Sequence, residues 1–235
     1  MADAKRGKPA PRTLDVGGVL FDLDGTLADT AGDLVASLNR IRTTRGLSAM
    51  STESLRPYAS EGARGLLRAG MGIAADHADF RALRDEFLAH YAEGLAATTQ
   101  LFDGMASLLE QLDQRALRWG IVTNKLGRFT TPVVVALGIE HRAGAIVSGD
   151  TTPHAKPHPA PLFHAADALG ISPERCVYVG DDLRDIQAGN AAGMPTIVAE
   201  YGYLGVGADP DTWPATGWIA HPLELLDWLP ETPAA

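Results

Sequence analysis

Six short apolar runs, at residues 16–22, 118–124, 143–149, 176–180, 195–202 and 217–220, read as strands separated by longer stretches. They are apolar with little alternation, as buried parallel strands are. The helical patterns between them are "GMASLLEQLDQRAL", "FTTPVVVALGI", "APLFHAADALGI" and "DIQAGNAAGM", with a last helix expected at "HPLELLDWL". Gly170 and Gly193 stand where helices should stop, and Pro195 follows just beyond. Strands alternating with helices demand right-handed crossovers and a parallel sheet covered on both faces. One interval breaks the rhythm. Residues 30–97 carry almost no strand signal and read as helices, with Leu34, Leu38 and Ile41 on one face and Phe80, Leu83, Phe87, Leu88 and Tyr91 on another. Gly46 stands where the first of these helices should end. The expected organisation is a loose tail at 1–12, a doubly wound α/β domain at 13–29 and 98–235, and a helical domain inserted at 30–97.

Composition narrows the function. Of the 235 residues, 46% are apolar and 21% charged, enough to bury a sizeable core. The net charge of −9 supplies no global basic field and argues against nucleic acid as a partner. The single cysteine, Cys176, permits no internal disulfide and suits a reducing compartment. It opens an apolar run and reads as a core residue. The N-terminal stretch "MADAKRGKPAPR" lacks the apolar core of a signal peptide, and no run approaches a membrane span. A cytoplasmic protein without a membrane partner, monomer or homodimer, is expected. The turn-rich segment 201–219 is left open as cover for the core edge or a subunit contact.

In doubly wound sheets, ligands bind at the carboxyl ends of the strands. The first strand ends in Asp22 and Asp24, and the second in Thr123 and Asn124. Lys156 lies between prolines just before a helix, and the strand "CVYVG" ends in Asp181 and Asp182, with Asp185 a turn further on. Buried carboxylates are costly unless paired, so such a set implies a cation, chemistry, or both. Phosphoryl transfer to a carboxylate nucleophile uses every one of these groups. The anion that attacks needs the phosphoryl charge neutralised by Mg²⁺, a lysine and hydroxyl donors. A second acid can protonate the leaving oxygen and then activate water. His154, His158 and His164 lack the usual spacing of zinc ligands, and zinc is not expected.

The stretches "FDLDGTLADT", "VTNK", "AKPHPAP" and "GDDLRD" resemble, in order, the four motifs of the haloacid dehalogenase-like superfamily. The resemblance implies a Rossmann-like core with an inserted helical cap. It makes Asp22 the nucleophile and Asp24 the general acid/base, with Asp22, Asp24 (through its carbonyl), Asp181 and Asp182 around Mg²⁺ and Asp185 as a further partner. Thr123 and Lys156 would complete the catalytic group. Gly25, Thr26, Asn124 and Arg64 would bind substrate, Arg64 from the segment "YASEGARGLL" that resembles the cap loop facing the site. The second aspartate and the acid pair argue for a phosphomonoester over a haloacid. Within the superfamily the chain looks most like the phosphoglycolate phosphatases. It is particularly similar to N-acetylmuramic acid 6-phosphate phosphatases in "SEGAR", "LFDGM", "WGIVTNK", "GDDLRDI", "EYGY" and "HPLEL". A small phosphomonoester is the expected substrate. A non-catalytic binding protein on the same fold is the alternative of another class; loss of Asp22, Asp24 or Lys156 would have favoured it, and none is lost.

Overall fold

The computed structural model of the chain describes residues 8–231. The first seven residues of the expected tail, and residues 232–235, lie outside the described residues. Residues 8–12 run exposed over the surface, where Lys8 pairs with Glu200 and with Asp211 at 3.2 Å.

The chain enters through β1 (Gly18–Phe21) and the two-residue β2 (Ala28–Asp29). Four helices follow: α1 (Ala31–Thr44), α2 (Thr52–Ala59), α3 (Gly62–Met71) and α4 (Phe80–Glu93). It returns through β3 (Gln100–Leu101), α5 (Met105–Gln114), β4 (Arg118–Val122), α6 (Gly127–Ala136) and β5 (Ala145–Val147). It then runs through α7 (Ala160–Leu169), β6 (Cys176–Gly180), α8 (Leu183–Ala191), β7 (Thr196–Ala199) and β8 (Gly217–Ile219).

Six strands form one parallel sheet in the order β5-β4-β1-β6-β7-β8. Chain order therefore runs outward from β1 to one edge, crosses back to β6, and runs outward to the other. The reversal beside β1 is the point where such a sheet opens a crevice at its carboxyl edge. The two faces carry separate cores. One gathers Phe21, Trp119, Ile121 and Val179 under α5 and α6; the other gathers Leu20, Val122 and Tyr178 under α7 and α8. Successive residues of β1 alternate between these cores, as a strand's period of two requires.

The four helices between β2 and β3 build a third cluster around Leu38, Ile41, Leu55, Leu67 and Phe87. Phe129 of α6 joins that cluster and meets Tyr91 edge to face at 5.3 Å between ring centroids. β2 and β3 pair antiparallel, Ala28 with Leu101 and Asp29 with Gln100. Strands of two residues are too short to leave a periodic signal, and the sequence reading passed over them.

One expected element differs. Residues Pro222–Trp228 form a 3₁₀ helix rather than an α-helix. Their buried positions, Pro222, Leu225 and Trp228, recur every three residues, the repeat at which 3₁₀ side chains eclipse.

Candidate active site

Asp22 follows the last residue of β1, and the turn after it is closed by Ala28 N–H on the Leu23 carbonyl (2.9 Å) and Gly25 N–H on the Ala28 carbonyl (3.0 Å). Gly25 has φ +87°, and a Cβ there would stand 2.2 Å from Asp181 Oδ2. Only glycine lets this turn approach the carboxylate. Asp22 Oδ1 accepts from Leu23 N–H at 2.7 Å and lies 2.9 Å from Lys156 Nζ. Both contacts fall on one oxygen of Asp22.

Lys156 is buried at the centre of the cluster. Its ammonium is 2.7 Å from Asp185 Oδ1 and 2.7 Å from the Tyr178 hydroxyl. Burial alone would push the ammonium's pKa down; the charges of Asp185 and Asp22 outweigh it and hold it above its usual value. Asn124 fixes the loop that presents it. Its amide donates to the Lys156 carbonyl (3.0 Å), and its carbonyl accepts from Lys156 N–H (2.9 Å).

Asp181 follows β6 and is fully buried. Thr26 Oγ1 donates to its Oδ1 (3.0 Å) and Tyr203 N–H to its Oδ2 (2.8 Å). Burial, reinforced by the charges of Asp22 and Asp185, still drives its pKa well above the usual carboxylate range. The same causes, burial first and then Asp185 and Asp24, raise Asp22 to about 7 against the pull of Lys156.

The carboxylates of Asp22, Asp181 and Asp185 each offer an oxygen within 4.8 Å of the others. Lys156 meets two of these three acids, Asp22 and Asp185, and hard carboxylate oxygens at this spacing suit a divalent cation such as Mg²⁺. The side chain of Asp182 is turned elsewhere. It caps α8, accepts from Arg184 N–H and is gripped by the Arg184 guanidinium at 2.8 and 2.9 Å. Burial works against that charge, but Arg184 holds the Asp182 pKa below its usual value. Asp185 closes the capping box by accepting from Asp182 N–H at 3.0 Å.

Asp24 Oδ1 accepts from Thr30 Oγ1 (2.5 Å) and from Lys125 Nζ (2.8 Å). Lys125 stands over the Tyr91 ring, 4.8 Å from its centroid, which ties the core strand end to α4. Thr123 is buried beside it, its hydroxyl accepting from Lys125 N–H. These groups line a cavity of about 610 Å³ between the sheet edge and the helical block. The opposite wall includes Phe80, Phe87, Leu88, Arg64 and Arg84. Arg64 is largely exposed and 3.8 Å from Glu61, whose carboxylate is taken by Arg68. The structure thus brings Asp22, Asp24, Thr123, Asn124, Lys156 and Arg64 to one cavity. Gly25 and Thr26 act behind it, on Asp181.

Sequence reasoning passed over four residues here. Lys125 stands in "VTNK" directly after the strand end, the one local signal that could have marked it. Tyr178 lies inside the apolar run "CVYVG", where its spacing carries no mark of a polar partner. Nothing local marks Tyr203, whose hydroxyl partners lie more than 170 residues away, or the reach of Arg184 from Asp182, two residues off, to Ser60, 124 residues off. Tyr203 Oη accepts from the first amides of α1, Thr30 (2.7 Å) and Ala31 (3.0 Å), and donates to Asp29 (3.1 Å).

Residues 19–199 match the family model described as haloacid dehalogenase-like hydrolase. An N-acetylmuramic acid 6-phosphate phosphatase from Pseudomonas aeruginosa is 40% identical over 90% of this chain and 93% of its own. A phosphoglycolate phosphatase from Xanthomonas campestris pv. campestris is 43% identical over 90% of this chain and 95% of its own. The solved structure of a haloacid dehalogenase-like family hydrolase from Streptococcus pneumoniae shares the fold. It has a TM-score of 0.74 at 22% identity and covers 90% of this chain and 97% of its own. With 181 consecutive residues under the family model and relatives at this identity along nearly its whole length, the chain belongs to the haloacid dehalogenase-like hydrolases.

Proposed function

We propose that this chain is a Mg²⁺-dependent phosphomonoester hydrolase that works through an aspartyl phosphate on Asp22. The observation that carries the proposal is the convergence on Lys156, which contacts both Asp22 (2.9 Å) and Asp185 (2.7 Å) from a loop remote in sequence. Asp22 Oδ1 is held by Leu23 N–H and Lys156, which leaves Oδ2 as the attacking oxygen. It forms a bond to phosphorus as the bond to the leaving oxygen breaks. Asp24 gives that oxygen its proton, then takes one from the water that attacks the acyl phosphate and restores Asp22. Thr123 and Lys156 present a hydroxyl and an ammonium to the phosphoryl oxygens. Asp22, Asp181 and Asp185, with the Asp24 carbonyl, would hold Mg²⁺, and Asp182 would act from outside that group. When bound, the ion neutralises phosphoryl charge. Helices α1–α4 serve as a cap that excludes water and selects the leaving group.

The cavity favours one substrate reading. Cavities of about 300–1,000 Å³ enclose ligands of drug size, and 610 Å³ is generous for a two-carbon acid phosphate. A sugar acid phosphate such as N-acetylmuramic acid 6-phosphate suits it better, with Arg64 facing the leaving group. The first test is p-nitrophenyl phosphate hydrolysis with Mg²⁺ or EDTA. Turnover should require Mg²⁺ and vanish in Asp22→Asn. A fully active Asp22→Asn protein overturns the mechanism, and no turnover by the wild type favours the binding-protein reading. The second test compares N-acetylmuramic acid 6-phosphate with phosphoglycolate. A preference of about 100-fold in kcat/KM, worth about 2.7 kcal/mol, identifies the substrate class.

A further inference from the structure

The corner between α2 and α3, residues 58–64, lines the cavity; Ala59 anchors it in the helical cluster and Glu61 pairs with Arg68, contacts that lie wholly within the helical block. Ser60 Oγ is enclosed without a hydrogen-bond partner, and Gly62 stands at φ +57°. The bond that ties the corner to the sheet edge comes from Arg184, whose Nη2 donates to the Ser60 carbonyl at 2.8 Å. The same guanidinium donates from Nε to Asp182 Oδ1 (2.8 Å) and from Nη2 to Asp182 Oδ2 (2.9 Å). A rigid planar fork with donors on several edges can serve a carboxylate and a carbonyl at once; a lysine ammonium on a flexible stem cannot reproduce that spread.

The contacts continue inward. Asp182 N–H donates to Asp185 Oδ2 (3.0 Å), Asp185 Oδ1 meets Lys156 (2.7 Å), and Lys156 meets Asp22 (2.9 Å). One unbroken series of polar contacts therefore runs from the helical block to the carboxylate of Asp22.

We propose that Arg184 is a positioning residue that braces the α2–α3 corner over the cavity while keeping the Asp182 carboxylate turned away from the acid cluster. Its guanidinium is engaged by Asp182 and Ser60, at the wall of the same cavity that Asp22 lines. Its consequence for turnover rests on the phosphatase reading; its mechanical role does not.

The test is native-state hydrogen exchange of the full chain, read by mass spectrometry, on wild type, Arg184→Gln and Arg184→Lys. Peptides spanning 58–67 should exchange about tenfold faster in Arg184→Gln and by an intermediate factor in Arg184→Lys, with the sheet strands unchanged. Unaltered exchange at 58–67 in a folded variant overturns the proposal. So does acceleration spread equally over the strands, which would make Arg184 a general stabiliser. If Arg184→Gln does not fold, Arg184→Lys is judged by the same two criteria. In parallel, KM for p-nitrophenyl phosphate should rise about tenfold in Arg184→Gln while kcat falls less than threefold. A wild type without turnover defeats the phosphatase reading and leaves the exchange result to judge the brace alone.

Discussion

Replacing Asp22 with asparagine should make the metal-free protein more stable. Burial, joined by the charges of Asp185 and Asp24, raises Asp22 from an ordinary 3.8 to about 7, even though Lys156 pulls it down. Between those two values the folded state keeps a proton that the unfolded chain has released. Stability therefore falls as pH rises through that window, and the full penalty is in force above the upper value. The difference corresponds to about 4 kcal/mol. Relaxation and water entry recover part of it. Asp22→Asn, which preserves shape and can still accept from Leu23 N–H, should thus gain about 2 kcal/mol near pH 8 and less than about 1 kcal/mol near pH 5. For a chain of this size 2 kcal/mol is about 4–8 °C in Tm. The assay is thermal unfolding in EDTA at both pH values, repeated with saturating Mg²⁺. The metal should erase or reverse the gain, because it neutralises the same excess charge in the wild type. A variant no more stable than wild type near pH 8 in EDTA refutes the reasoning. So does a gain of equal size at both pH values, which would show that charge is not its source.

Three other outcomes follow from the same geometry. Lys156→Met leaves Asp22 and Asp185 without their ammonium and should cost about 3 kcal/mol near neutral pH in EDTA, measured by urea unfolding, with a smaller loss when Mg²⁺ is present. Asp33 is buried in α1 and accepts from Thr98 N–H (2.8 Å), Thr98 Oγ1 (2.6 Å) and Thr99 Oγ1 (2.7 Å). Asp33→Ala orphans all three donors and should lower stability by about 2–3 kcal/mol in the same assay. Cys176 is buried, and burial pushes its thiol up to about 11; iodoacetamide should leave it unmodified in the native protein and label it once urea unfolds the chain.

The sequence disclosed the parts of this molecule whose causes are local. Apolar runs ending in acids mark β1 and β6, and helical spacing marks α1 and α4. The strand-end rule then brings Asp22, Thr123 and Asp181 to one edge before any coordinates are seen. What stayed hidden depends on which side chains the fold turns toward one another. The segment 201–219, left open from sequence, sends Tyr203 to Asp181 through its backbone and to α1 through its hydroxyl. From sequence, Asp182 at the strand end and Asp185 a turn further on are both offered to a cation. Only the folded positions of Arg184 and Lys156 separate them, one as a helix cap gripped by a guanidinium, the other facing the ammonium.

The short ribbon of β2 and β3 has a consequence for how such a protein diversifies. Ala28–Asp29 and Gln100–Leu101 lie side by side, so the four-helix block leaves and rejoins the rest of the chain at nearly one place. The sheet therefore feels almost nothing of the inserted length, since loop-closure entropy grows only slowly with the number of residues spanned. A different roof could be grafted between the same two stubs while the strand-end side chains beneath kept their positions, so the two parts are free to change on separate schedules.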